Sequence, residues 1–282
     1  MKIIQTTALM TEQVNQWQST HKKIALVPTM GNLHAGHLAL VENATILADR
    51  VVVSIFVNPL QFNDTKDYER YPRTLENDLR VLAPYNIAAV FTPSITEIYS
   101  QPLEQTTQVN VPILSDILEG AYRPGHFQGV TTIVAKLFNI TQPKIALFGE
   151  KDYQQLLIIR RMVLDLAMPI IIKNIPTVRD SNGLALSSRN SYLSDQERVQ
   201  APFLFNTLSH IATKIKQGKQ SFTHLEQESY NLLVNHGFQP DYVSIKTINL
   251  LDPSQEDHNF VVLGAAYLGK TRLIDNIPIQ LG

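Results

Sequence analysis

Short, nearly continuous apolar runs recur through the first two-thirds of the chain: KIALVP from Lys23, VVVSIFV from Val51, AAVFT from Ala88, KIALFG from Lys144 and IIIKNIPTV from Ile170. Such β-branched runs, with no polar alternation, predict strands buried on both faces of a parallel sheet. Between them lie segments of helical pattern, among them GHLALVENATILADR from Gly36 and TLENDLRVLAPYN from Thr74. This alternation predicts a Rossmann-like, doubly wound α/β domain. Beyond about residue 177 the pattern changes. SDQERVQ opens with Ser194 and carries Glu197 three positions later, a capped helix start. Pro202 should end or kink that helix, or begin a second one. DYVSIKTINL, FVVLGAAYLG and TRLIDNI then read as strands of a smaller C-terminal α+β domain. The expected division is residues 1–177 and 178–282.

Composition narrows the classes of function. The 282 residues include no cysteine, which removes disulfides, thiolate nucleophiles and Cys-type metal sites and fits a cytoplasmic protein. A formal net charge of −1 argues against broad cationic attraction to nucleic acid, while a local basic groove for a small anion stays open. The most apolar stretch, LLIIRRMVLDLAMPIII, is interrupted by Arg160, Arg161 and Asp165, so no bilayer span is expected. The N-terminal MKIIQTTALMTEQ has no long apolar segment of the signal-peptide kind. The expectation is a soluble protein acting on small molecules, with no nucleic-acid or membrane partner.

Candidate chemistry collects at the ends of the predicted strands, where open parallel sheets bind their ligands. After the first run comes TMGNLHAGH, with His34 and His37 three apart and glycines at 31 and 36. At that spacing two imidazoles share one face of the incoming helical turn and can offer N–H donors to phosphoryl oxygens. The plainer alternative is a pair of surface or capping histidines. After the second run, FVNPLQF places Asn58 and Gln61, whose amides can orient a hydroxyl or a carboxylate. FGEKDYQQL follows the KIALFG run: Lys151 suits a phosphate, and Asp152 with Gln155 also fits a helix cap. PTVRDSNGLALSSRN contributes a turn at Asn182-Gly183, then Ser187, Ser188 and Arg189, groups suited to a triphosphate. RPGHFQGV adds a loop with Arg123 and His126.

His-x-Gly-His after a strand resembles the nucleotidylyltransferase superfamily. With FVNPLQF, YPRTLENDL, RPGHFQGV, FGEKDYQQ, GLALSSRN and TRLIDNI in the same order, nearly the whole chain resembles the pantoate–β-alanine ligase (pantothenate synthetase) family. The resemblance implies ATP-dependent condensation of (R)-pantoate with β-alanine, releasing AMP and diphosphate through a pantoyl adenylate. ATP would enter with Mg²⁺, without a tightly bound organic cofactor, in a homodimer. It further implies that Met30, Gly31, Asn32, Leu33, His34, Ala35, Gly36 and His37 form the first ATP-binding element, with His37 as proton donor. Gly149, Glu150, Lys151 and Asp152 would line the nucleotide. Val178 would lie on the adenine side, and Leu186, Ser187, Ser188 and Arg189 would hold the triphosphate. Gln61 and Gln155 would hold pantoate, Gln61 also facing β-alanine, with Asn58 in support and Asp78 as an outer contact of the metal. The polar segment NDTKDYERYP after Gln61 and the second domain are the expected covers of the site.

Two departures from the family pattern are small: Leu60 within NPLQF, and Asn182 where aspartate is common. Two other readings share the His-x-Gly-His motif: a phosphopantetheine adenylyltransferase, and a non-catalytic ATP sensor. Gln61, Gln155 and the chain length disfavour the first. His34, His37, Lys151 and Arg189, which a sensor does not need, disfavour the second.

Overall fold

The computed structural model describes residues 1–218, 221–254 and 256–281. The chain forms two compact units, Met1–Glu150 with Gln155–Pro176, and Lys151–Gln154 with Thr177–Gly282. In chain order the first carries β1 (Lys2–Ile4), α1 (Thr7–Ser19), β2 (Ile24–Thr29), α2 (Ala35–Leu47), β3 (Arg50–Ile55), α3 (Thr65–Arg70), α4 (Leu75–Leu82), β4 (Ala89–Phe91), α5 (Ile95–Ile98), α6 (Glu119–Tyr122), α7 (His126–Thr141), β5 (Ile145–Gly149), all but the first two residues of α8 (Tyr153–Asp165), and β6 (Ile171–Ile175). The six strands are parallel, in the order β1-β4-β3-β2-β5-β6.

Successive strand residues feed two cores, which is why the runs lack polar alternation. Leu26, Val52, Phe91 and Phe148 pack with Met10 and Val14 of α1, Ile133 of α7 and Ile159 of α8. One position along, Val27, Val53, Val90 and Leu147 pack with Val41 and Ala44 of α2 and Leu82 of α4. Burying each such side chain contributes roughly 1.5–3 kcal/mol. Strand β2 lies at the switch point: the chain moves from it through β3 toward β4, then returns to place β5 on its other side. Open parallel sheets bind their ligands in the crevice at such a point, here between the carboxyl ends of β2 and β5.

Two segments differ from the sequence expectation. Strand β6 is not buried on both faces; Ile171 is 56% exposed, because β6 ends the sheet and has β5 as its one strand neighbour. The segment after Gln61 holds a short helix, α3, started by Asp64, whose carboxylate accepts from Lys66 N–H at 2.8 Å.

The second unit contains α9 (Asp195–Gln200), α10 (Phe203–Lys216), α11 (Phe222–Asn235) and an antiparallel sheet of β7 (Phe238–Thr247), β8 (Asn259–Leu268) and β9 (Thr271–Gln280). Ser194 and Glu197 form the expected reciprocal cap of α9, and Pro202 separates α9 from α10. Leu204, Leu208 and Ile211 of α10 pack with Leu225 and Leu233 of α11 on Ile245, Phe260 and Val262. Residues Lys151–Gln154 group here for a visible reason. Asn276 Nδ2 donates to the Lys151 carbonyl at 2.9 Å, and the Tyr153 hydroxyl donates to the Ile248 carbonyl at 2.8 Å. No helix among the described residues is long and apolar enough to cross a membrane.

Candidate active site

The loop after β2 is tied to its neighbours before it becomes a helix. Thr29 donates its hydroxyl to the Ser54 carbonyl of β3 at 2.7 Å and accepts from Gly31 N–H at 3.2 Å. Gly31 has φ +84° and Asn32 φ +50°, so the chain turns through the left-handed region there. A Cβ on Gly31 would stand 3.0 Å from an Asp78 carboxylate oxygen. Asp78, on α4 and fully buried, accepts from Asn32 N–H at 3.0 Å and from Leu33 N–H at 2.8 Å, and the Thr74 hydroxyl lies 3.2 and 3.3 Å from its two oxygens. The residue expected as an outer metal contact is thus the clamp that shapes the histidine loop.

His34 and His37 cap α2 reciprocally. His34 Nδ1 accepts from Gly36 N–H at 3.2 Å, and His37 Nδ1 accepts from His34 N–H at 3.4 Å. The ring centroids lie 4.1 Å apart, tilted by 44°. An Nδ1 that accepts carries no proton, so each ring is neutral and bears its proton on Nε2. Capping and chemistry are therefore not alternatives: the cap fixes both rings as Nε2–H donors at the start of a helix, where backbone dipoles favour anions.

The second cluster forms past β3. Pro59–Gln61 is a 3₁₀ turn capped by Asn58. Asn58 Nδ2 donates to Gln61 Oε1 at 3.1 Å, and Gln61 Nε2 approaches Met30 Sδ at 3.1 Å. The amide is thereby brought to the first residue of the histidine loop. His126 Nδ1 lies 2.7 Å from the Gln61 carbonyl, and Arg123 lies 3.1 Å from His126 Nε2, so the RPGH loop holds the turn from the other side. Tyr99, which the sequence did not single out, donates its hydroxyl to Asn58 Oδ1 at 2.7 Å, and burial pushes its phenol well above the ordinary range. Past β5, Gly149 ends the strand, and Glu150–Asp152 forms a 3₁₀ turn into α8, which carries Gln155. The Glu150 carboxylate accepts from Asn174 of β6.

In the second unit, Lys151 Nζ lies 4.0 Å from the Asp152 carboxylate. Leu186 N–H donates to the Val178 carbonyl at 3.0 Å, bringing those two expected nucleotide contacts together. Ser187 caps the 3₁₀ turn Ser188–Tyr192, its hydroxyl accepting from Arg189 N–H at 3.3 Å. Asn182 makes the turn expected of it, accepting from Leu184 N–H at 3.1 Å. Arg179 anchors this loop through two bonds, 2.6 and 2.8 Å, to the buried Asp275 of β9. Among the described residues no three His, Asp or Glu side chains group as a metal site.

Comparison with known proteins gives the family. A family model described as Pantoate-beta-alanine ligase matches residues 2–278. The chain is 61% identical to a pantothenate synthetase of Nitrosococcus oceani, over 100% of this chain and 99% of that one. It is 54% identical to one of Azotobacter vinelandii, over 92% of each. Among solved structures, the pantothenate synthetase of Thermus thermophilus superimposes with a TM-score of 0.90 at 43% identity, covering 98% of this chain and 99% of that one. The Francisella tularensis pantoate-beta-alanine ligase, complexed with beta-gamma ATP and beta-alanine, gives 0.79 at 35% identity, covering 98% and 97%. A family model that matches residues 2–278, with relatives up to 61% identical, establishes that the chain belongs to the pantoate–β-alanine ligase family.

Proposed function

We propose that the groups at the carboxyl ends of β2, β3 and β5 carry the family's reaction, the ATP-dependent condensation of (R)-pantoate with β-alanine to pantothenate. A pantoate carboxylate oxygen attacks the α-phosphorus of ATP, and diphosphate leaves with the electrons of the broken P–O bond. The amine of β-alanine then attacks the acyl carbon of the pantoyl adenylate, and AMP leaves with the electrons of the C–O bond. The observation that carries this reading is the reciprocal His34–His37 cap. Two neutral rings, each protonated on Nε2, suit α-phosphate oxygens that gain charge during attack. His37, which the resemblance implies is the proton donor, would share its Nε2–H with a phosphoryl oxygen as a hydrogen bond, since a neutral ring cannot give up that proton.

Met30 to His37 supply the first nucleotide contacts, with Gly149, Glu150, Lys151 and Asp152 along it and Lys151 at the phosphates. Val178 serves the adenine; Leu186, Ser187, Ser188 and Arg189 serve the triphosphate. ATP enters as its Mg²⁺ complex, since the metal keeps most of its water and few protein ligands. Gln61 and Gln155 hold pantoate, and Gln61 also faces β-alanine. With all substrates present, pantothenate and AMP should form in equal amounts. ADP and phosphate in place of AMP would mean an acyl phosphate route and contradict the scheme.

If Gln155 serves the acid, Gln155→Ala should weaken pantoate binding by about tenfold, the usual result of leaving a buried polar group unpartnered, with ATP affinity nearly unchanged. Calorimetric titration of each ligand checks this; loss of ATP affinity with pantoate affinity intact would reduce Gln155 to a helix residue.

We place the reaction in the cytoplasm, supported by the absence of cysteine, and assign a homodimer built on the β6 edge. There Leu164 of α8 lines one surface groove with Val163, Met168, Ile170 and Ile172, and Leu164 and Ile171 are 72% and 56% exposed. An apolar sheet edge of this kind invites pairing with a second chain. Light scattering should give twice the chain mass for the wild type and the single mass for Leu164→Glu/Ile171→Lys. An unchanged dimer in the double variant would move the interface elsewhere.

A further inference from the structure

Hydrogen-bond polarity around Gln61 can be read from groups that have no choice of role. Asn58 is 1% exposed, so its amide has only protein partners to suit. Its Nδ2 lies 3.0 Å from the Gly129 carbonyl, which can only accept, and its Oδ1 lies 3.4 Å from Leu60 N–H, which can only donate. These two backbone groups fix the orientation of the Asn58 amide. The approach that permits them is tight: a Cβ on Gly129 would stand 2.3 Å from the Leu60 carbonyl oxygen, so α7 meets the Pro59–Gln61 turn only because residue 129 has no side chain.

With Asn58 so oriented, its second N–H meets Gln61 Oε1 and its second lone pair takes the Tyr99 hydroxyl. Gln61 must then turn its carbonyl inward and its NH₂ outward, past Met30 Sδ. We propose that Tyr99 is a positioning residue for this reaction: through Asn58 it holds the Gln61 amide with its NH₂ presented to an oxygen acceptor of the substrate acid. Tyr99 is 4% exposed and its hydroxyl is spent on Asn58 Oδ1, so it is placed to act through Asn58. Burial keeps the phenol protonated, which keeps it a donor. Asn58 in turn is a relay and not a ligand contact. The inference rests on Gln61 holding pantoate.

Tyr99→Phe removes one oxygen and leaves the ring. Calorimetry should show pantoate affinity about threefold to tenfold weaker, the size of one lost hydrogen bond, with Mg-ATP affinity unchanged. In a Gln61→Ala background the same substitution should change pantoate affinity no further, because residues in one network are not additive. Asn58→Asp keeps the shape but has no N–H for Gln61 Oε1, so it should weaken pantoate binding more than Tyr99→Phe does. Wild-type pantoate affinity in folded Tyr99→Phe and Asn58→Asp would overturn the relay, as would a full further loss from Tyr99→Phe in the Gln61→Ala protein. Wild-type affinity in Gln61→Ala itself would instead remove the Gln61 assignment, and the relay with it.

Discussion

Alanine at His34 or at His37 should slow diphosphate release from ATP and pantoate by about 10²- to 10³-fold per residue, the usual size of a lost charge-stabilising donor. Alanine at His34 also removes the α2 cap, which alone costs about 1 kcal/mol, so two further variants separate folding from chemistry. Asparagine at 34 can still accept from Gly36 N–H, and glutamine at 37 can still reach back to His34 N–H, as in an ordinary capping box. His34→Asn and His37→Gln should therefore melt close to the wild type yet lose nearly as much rate as the alanines. Single-turnover diphosphate release is the measurement. Wild-type rates in the Asn and Gln variants would make the pair a helix cap and nothing more.

Replacing Asp78 should produce the next largest effect. Its carboxylate, fully buried, is the acceptor for Asn32 and Leu33 N–H groups. Asp78→Ala leaves those donors unpaired, at a cost of about 2–4 kcal/mol in urea unfolding. It also frees the loop that sets both imidazoles, and a displacement of about 1 Å there is enough for a roughly 10²-fold loss in kcat/KM. Asp78→Asn keeps one acceptor and turns an NH₂ against a backbone N–H, so it should fall between wild type and alanine. Neither variant should shift the Mg²⁺ concentration needed for half-maximal rate. Recovery of the Asn variant at high Mg²⁺ would return Asp78 to the metal's contacts.

The difference between Asp78 and His34 shows what a sequence displays and what it hides. The histidines follow an apolar run directly, so strand end, turn and helix start are adjacent in sequence and readable together. The pairing of Asp78 with the loop spans 45 and 46 residues, and its helix LENDLRVL looks like an ordinary amphipathic one. Nothing local says that this acid is buried while Glu76 is not. Tyr99 is hidden for the same reason, 41 residues from Asn58, and the Arg179–Asp275 pair is 96 apart. Strand β1 has three residues, too few for a period, and β6 reads as a buried strand because its apolar content does not reveal that it ends the sheet. Motif order carried the substrate class; burial and long-range pairing, which decide who holds whom, needed the fold.

The central claim, that the chain activates pantoate as an adenylate, is tested most directly by isotope exchange. With ATP, Mg²⁺ and pantoate but no β-alanine, labelled diphosphate should pass into ATP, and the exchange should vanish when pantoate is left out. Adding β-alanine should discharge the intermediate to pantothenate and AMP. Exchange that ignores pantoate but answers to a phosphorylated pantetheine would mark an adenylyltransferase of another kind. A folded, ATP-binding preparation that shows no exchange with pantoate would contradict the account.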